Sequence, residues 1–156
     1  MAEGLTHVDD EGHARMVDVS AKSETMRSAI AEAHVRMSPA VVEQLFAGEL
    51  PKGDALGVVR VAAIMAAKRT PELVPLAHPL PLDSVAVDVE RVDDGARIVV
   101  TAVVTAKTGV EMEAITGAAV GAVTLYDMVK GLDKGVEIGP IRLLAKTGGK
   151  SGDWSR

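Results

Sequence analysis

The segment from Gly109 to Gly131 constrains this chain more than any other. From Ala114 to Tyr126 it carries no charge, being built of Ala, Val, Leu, Ile, Thr and Gly up to the closing tyrosine, while Glu111, Glu113, Asp127 and Lys130 mark its two ends. A run this long and this apolar reads as one helix buried along most of its length. Burying its ends as well would force the four charged residues to find partners or a ligand. With about 100° and about 1.5 Å per residue, Asp127 and Lys130 lie one turn apart. Glu113 shares the Asp127 side but sits roughly 21 Å away along the axis, and Glu111 points elsewhere. One compact site cannot easily use both ends. Either the ligand is long and polyanionic, or sites are assembled between subunits that lend opposite ends of the helix. The Asp127 and Lys130 spacing equally suits an exposed ion pair worth roughly 0.2–0.5 kcal/mol.

The remaining elements follow from periodicity. Arg27 to Met37 alternates Ala29, Ala31, Ala33, Val35 and Met37 with polar residues, which predicts a strand with one buried face. Ser38-Pro39 opens a short helix to Gly48, and Asp54 caps a second helix, Ala55 to Arg69. Pro71, Pro75, Pro79 and Pro81 forbid a long regular element up to Leu82. Ser84 to Val92 and Arg97 to Lys107 form a hairpin about Asp93-Asp94-Gly95-Ala96, and a last strand runs from Val136 to about Lys146. Setting aside the inserted short helix, the order is strand, helix, strand, strand, helix, strand. That predicts an α+β, ferredoxin-like split βαβ fold, an antiparallel sheet with both long helices on one face. Residues 1–14 read as a flexible arm, 15–147 as a single catalytic domain and 148–156 as a Gly-rich mobile tail.

Composition narrows the function classes. Hydrophobic residues make up 47% of the 156 and aromatics only 2%, so the core is assembled from small aliphatics. Valines on both sides of the Arg97 to Lys107 strand leave the second sheet face partly apolar, and both features predict an oligomer. A net charge of −5 argues against a nucleic-acid binder, and the lack of stacking aromatics disfavours RNA. Cysteine is absent, no signal-like segment opens the chain and no apolar run is long enough to span a membrane, so a soluble cytoplasmic protein is expected.

Four local groups carry candidate chemistry. Lys52 sits in the turn P-K-G-D, His78 in the proline-bracketed L-A-H-P-L-P-L, and Asp127 with Lys130 ends the long helix. Lys146 and Lys150 lie in L-L-A-K-T-G-G-K-S-G-D-W. That last group is not a P-loop, because the required glycine falls on Leu144 and too few residues follow for a helix. It remains a basic lip whose ammoniums and backbone N–H groups suit phosphate. A metal site is not expected: the four histidines lack ligand spacing and the carboxylates of E-M-E diverge on a helix.

Seven motifs together resemble the molybdenum cofactor biosynthesis protein C family, the cyclic pyranopterin monophosphate synthases, from Leu5 to Trp154. They are M-V-D-V-S (Met16 to Ser20), K-G-D (Lys52 to Asp54), A-A-K-R-T (Ala66 to Thr70), L-A-H-P-L (Leu76 to Leu80), K-T-G-V-E-M-E-A (Lys107 to Ala114), L-Y-D-M-V-K (Leu125 to Lys130) and I-G-P-I-R-L-L-A-K-T-G-G-K-S-G-D-W (Ile138 to Trp154). Ala77 departs from the cysteine common before the histidine. The resemblance implies a lyase that converts 3′,8-cyclo-7,8-dihydroguanosine 5′-triphosphate to cyclic pyranopterin monophosphate with release of pyrophosphate, without a cofactor. It implies a homohexamer, a trimer of dimers, with active sites at dimer interfaces. Asp127, Lys52 and Lys130 are implied as catalytic residues, Leu76, Ala77, His78, Met112 and Glu113 as substrate contacts, and Lys146 as a further basic active-site residue; by their charge, Lys146 and Lys150 would bind and neutralise the triphosphate. Clustered lysines would repel one another and lose hydration, bringing an ammonium pKa toward neutrality. The rival readings are a ligand sensor that binds the triphosphate unchanged, and an assembly module indifferent to alanine at Lys52, His78 and Lys130.

Overall fold

In the computed structural model, residues 7–156 are described. The first six residues of the expected arm lie outside them; Val8 and Ala14 form an isolated antiparallel bridge. The elements are β1 (Thr25–Arg36), α1 (Pro39–Ala47), α2 (Ala55–Lys68), α3 (Thr70–Leu73), β2 (Ser84–Val92), β3 (Gly95–Ala106), α4 (Glu111–Val129), β4 (Glu137–Thr147) and β5 (Trp154–Ser155). All strands join one antiparallel sheet in the order β2-β3-β1-β4-β5. The first four give the split βαβ order. The tail after β4 doubles back, and Trp154 pairs with Lys146.

Alternation decides which face is buried. Ala29, Ala31, Ala33 and Val35 of β1 and Ala96, Ile98, Val100 and Ala102 of β3 are fully buried on the helix side. The small side chains let α4 press against both α2 and the sheet. A Cβ built on Gly117 would lie 3.1 Å from the Ala63 carbonyl oxygen and 3.2 Å from Val100 Cγ1, so glycine sets this close approach. α2 starts where the Asp54 carboxylate accepts from the Gly57 N–H at 2.9 Å. α4 has no side-chain cap and begins at Glu111, two residues later than its flanking glycine suggests. The hairpin is tighter than expected: Val92 pairs with Gly95, so β3 begins before Arg97. Pro71 opens the one-turn α3 at a first-turn position, where a missing N–H costs nothing.

The opposite sheet face is more polar than its valines suggest. Glu90, Arg97, Glu32 and Arg142 form a ladder of alternating charge across β2, β3, β1 and β4, with Arg97 to Glu90 at 2.8 Å and Arg142 to Glu32 at 2.7 Å. Glu32 is 2% exposed. Burial pushes its carboxyl pKa up, but the hydrogen bonds from Arg97 and Arg142 outweigh this and hold it below the ordinary value.

Candidate active site

Two groups of functional side chains form, one at each end of α4. At the C-terminal end, Lys52 from the turn between α1 and α2 reaches Asp127, with Nζ donating to the Asp127 carbonyl at 2.7 Å and to Oδ2 at 3.1 Å. Lys130 takes the other carboxylate oxygen at 2.8 Å. One carboxylate thus organises two ammoniums. The three side chains are about half exposed, at 46%, 55% and 54%. Hydrogen bonds from Lys130 and then Lys52 hold the Asp127 carboxyl below its ordinary pKa. The same bond from Asp127 raises Lys130, the reverse of the lowering expected from clustered lysines. The reason is proximity: the carboxylate lies between the ammoniums and outweighs their repulsion, while water still solvates them.

At the N-terminal end lies a pocket of about 450 Å³. Leu76, Ala77 and His78 from the proline-bracketed loop line it, as do Met112 and Glu113 from the first turn of α4. Glu113 is 3% exposed, and burial drives its pKa up to about 7, its own backbone N–H opposing and Glu111 adding to the rise. A carboxyl tuned this way exchanges a proton near neutral pH. His78 Nε2 lies 2.7 Å from the Val17 carbonyl oxygen.

Lys146 on β4 joins this end rather than the other. Its ammonium pairs with Glu111 at 3.0 Å and lies 3.4 Å from Ser151 Oγ. Glu111, to which sequence reasoning gave no role, therefore ties α4 to the basic lip. A smaller cavity of about 130 Å³ adjoins, lined by Lys22, Arg27, Lys146, Gly148 and Ser151 among others. Part of the lip is self-satisfied, because Asp153 accepts from the Gly148 N–H at 3.0 Å. Lys150 is exposed and makes no hydrogen bond or ion pair with the described residues.

The structure thus assembles Lys52, Asp127 and Lys130 within one chain, and His78, Met112, Glu113 and Lys146 elsewhere in the same chain. Glu113 and Asp127 remain roughly 21 Å apart along the helix. Sequence reasoning missed Val17, Val19, Lys22 and Thr108, which complete the pocket wall. The alternation in M-V-D-V-S was the available signal for the two valines. Among the described residues no three His, Asp or Glu side chains cluster as a metal site requires, and no helix is long and apolar enough to cross a membrane.

The MoaC family model matches residues 16–149. A cyclic pyranopterin monophosphate synthase of Corynebacterium efficiens is 58% identical over 151 residues, covering 97% of each chain. The synthase of Geobacter metallireducens is 57% identical over 154 residues, covering 97% of this chain and 96% of its own. That of a Nostoc species is 54% identical over 152 residues, covering 96% and 90%.

Proposed function

The chain belongs to the MoaC family of biosynthetic enzymes, and we propose that it is a cytoplasmic synthase converting 3′,8-cyclo-7,8-dihydroguanosine 5′-triphosphate to cyclic pyranopterin monophosphate and pyrophosphate. The observation that carries this reading is the pair of chemically different half-sites on one helix. The N-terminal pocket suits a flat ring. It is walled by Leu76, Leu80 and Met112, and Glu113 hydrogen-bonds the guanine-derived edge. Lys146, Lys22 and Arg27 beside it suit the triphosphate. Lys150 adds charge at the rim.

The reaction opens a purine-derived ring, builds a pterin and closes a cyclic phosphate. In the closure a sugar hydroxyl oxygen bonds to the α-phosphorus while the bond from that phosphorus to the bridging oxygen breaks, and the oxygen leaves with pyrophosphate. The hydroxyl proton passes to a base, and an acid meets charge developing elsewhere. Lys130, held protonated by Asp127, begins as an acid. Asp127 and Lys52 exchange the proton between them, and closure against substrate strips water from the trio, raising the cost of leaving each ammonium charged.

A second copy supplies the missing half of each site. Val120 lies at the middle of α4, one heptad from Glu113 and one from Asp127, so it stands within about 20° of each and the outer two within about 40° of one another. Two α4 helices packed antiparallel about Val120 set Glu113 opposite Asp127 of a second copy. Val123, 59% exposed, with Val61, Met65 and Leu73 on the same outer layer, forms the apolar surface such a two-fold contact would bury. We take three such dimers to build the homohexamer.

The test is to incubate the purified protein with the cyclised dihydroguanosine triphosphate and assay both products. Stoichiometric pyrophosphate and cyclic pyranopterin monophosphate are expected. Recovery of unchanged triphosphate at high protein concentration would replace this reading with the ligand-sensor alternative.

A further inference from the structure

The M-V-D-V-S motif, Met16 to Ser20, has no part in the chemistry above, yet it forms one wall of the pocket. It runs as an irregular segment outside the sheet, with Val17 and Val19 half-buried and Met16, Asp18 and Ser20 exposed. Both valines line the pocket together with Leu76, Leu80 and Met112. No sheet ladder holds the segment in place. Two side chains tie its backbone to the body of the fold: His78 Nε2 to the Val17 carbonyl oxygen at 2.7 Å, and Lys107 Nζ to the Ser20 carbonyl oxygen at 3.0 Å. Two further restraints are local: the Asp18 carboxylate accepts from the Ser20 N–H at 2.8 Å, and the Val19 carbonyl accepts from the Lys22 N–H at 3.0 Å.

The chemistry of the His78 contact determines its direction. A carbonyl oxygen only accepts, so Nε2 carries the proton and donates it. While that bond stands, this nitrogen is not a base toward substrate. Pro79, the next residue, restricts the His78 backbone from which the ring projects. A rigid donor facing an otherwise unladdered carbonyl is an anchor.

We propose that His78 is a positioning residue that latches the Met16–Ser20 strap over the pocket, with Lys107 as a second tie, so that Val17 and Val19 cover the face of the bound ring. The idea rests on the ring-binding reading above, which assigns the pocket's occupant. The strap then sets ring selectivity by apolar cover and excludes water from Glu113, whose proton exchange depends on that exclusion.

The chain has no cysteine, so Met16→Cys gives one labelling position, on the exposed side of the strap and clear of its hydrogen bonds. A nitroxide attached there reports strap mobility without substrate and independently of turnover. Added His78→Ala should sharpen the spectrum toward free rotation, whereas His78→Asn, whose side-chain amide still donates, should retain much of the restricted component. Lys107→Met, which leaves the His78 loop intact, should give a smaller gain in mobility. In turnover, loss of one positioned hydrogen bond should raise KM about tenfold with a smaller change in kcat, partly reversed by His78→Asn. A strap freed only by His78→Ala, in a protein whose parent form turns over no substrate, would sink the ring reading and leave the latch. Unchanged spectra in both His78→Ala and Lys107→Met would overturn the latch; so would loss of kcat at unchanged KM, which would make His78 a substrate-facing acid or base.

Discussion

At one end of α4, Asp127 meets two half-exposed ammoniums; at the other, Glu113 is shut away and makes no ion pair among the described residues. The helix is the same, but the dielectric is not. At the open end every formal charge has a partner and the carboxyl is held below its ordinary pKa. At the closed end burial raises the carboxyl to about 7. The contrast teaches that a site can be chemically armed at one place and enclosed at another. Enclosure is what gives acid–base groups their leverage, because water otherwise screens them. An armed half and an enclosed half on one helix make sense when each completes the other across a two-fold contact.

The largest effect that would sharpen this contrast is on turnover at the open end. Lys130→Ala and Lys52→Ala should each lower kcat by about 10²–10⁴-fold, the range for a lost acid–base group. A fall below tenfold, measured under saturating substrate, would reduce the trio to surface ion pairs.

Next in size is the titration of the closed end. Glu113 has a folded pKa raised above its unfolded value, so the folded state binds its proton more tightly. Its stabilising contribution is complete below about pH 4.5 and is lost as pH rises through about 7. The loss amounts to about 3 kcal/mol. Denaturant melts of the parent protein and of Glu113→Gln should run at a constant offset below about pH 4.5, separate as pH rises to about 7, with the variant gaining in relative stability, and keep that separation above 7. Parallel curves would mean that Glu113 is not desolvated in solution. Asp127 runs the other way: its depressed pKa favours folding above about pH 3.8 and that benefit fades as acid protonates it, a weak effect in a solvated group.

The smallest expected effect completes the comparison. Lys130→Ala should leave stability within about 0.5 kcal/mol, since exposed pairs contribute little. A large loss in thermal or denaturant unfolding would make the open end a structural clamp and break the division between the ends.

Much of this architecture was legible from periodicity. The β1 alternation and the charge-free interior of α4 each admit one period, and the order of elements then restricts the topology. What stayed hidden was short or non-local. β5 has two residues, too few to show alternation, and exists because the tail returns to Lys146. The Asp127–Lys130 pair follows from helical spacing, whereas Lys52 joins them across 75 residues of chain and the Glu111–Lys146 pair spans 35. Even the sign of the Lys130 shift depended on where the carboxylate lay between the ammoniums. The sequence left open how sites are divided between subunits; Lys52 and Asp127 sit together in one chain.

That placement determines which variants test the shared site most directly. Asp127→Asn and Lys146→Ala, each expected to be nearly inactive, should be unfolded, mixed in equal amounts and refolded together. If opposite ends of α4 meet across a two-fold contact, a mixed dimer holds one doubly damaged site and one intact site. Random pairing then restores roughly a quarter of the parent activity. Activity no greater than the sum of the two separate variants, with mixed oligomers demonstrably formed, would contradict the account, because each chain would then be using both ends of its own helix.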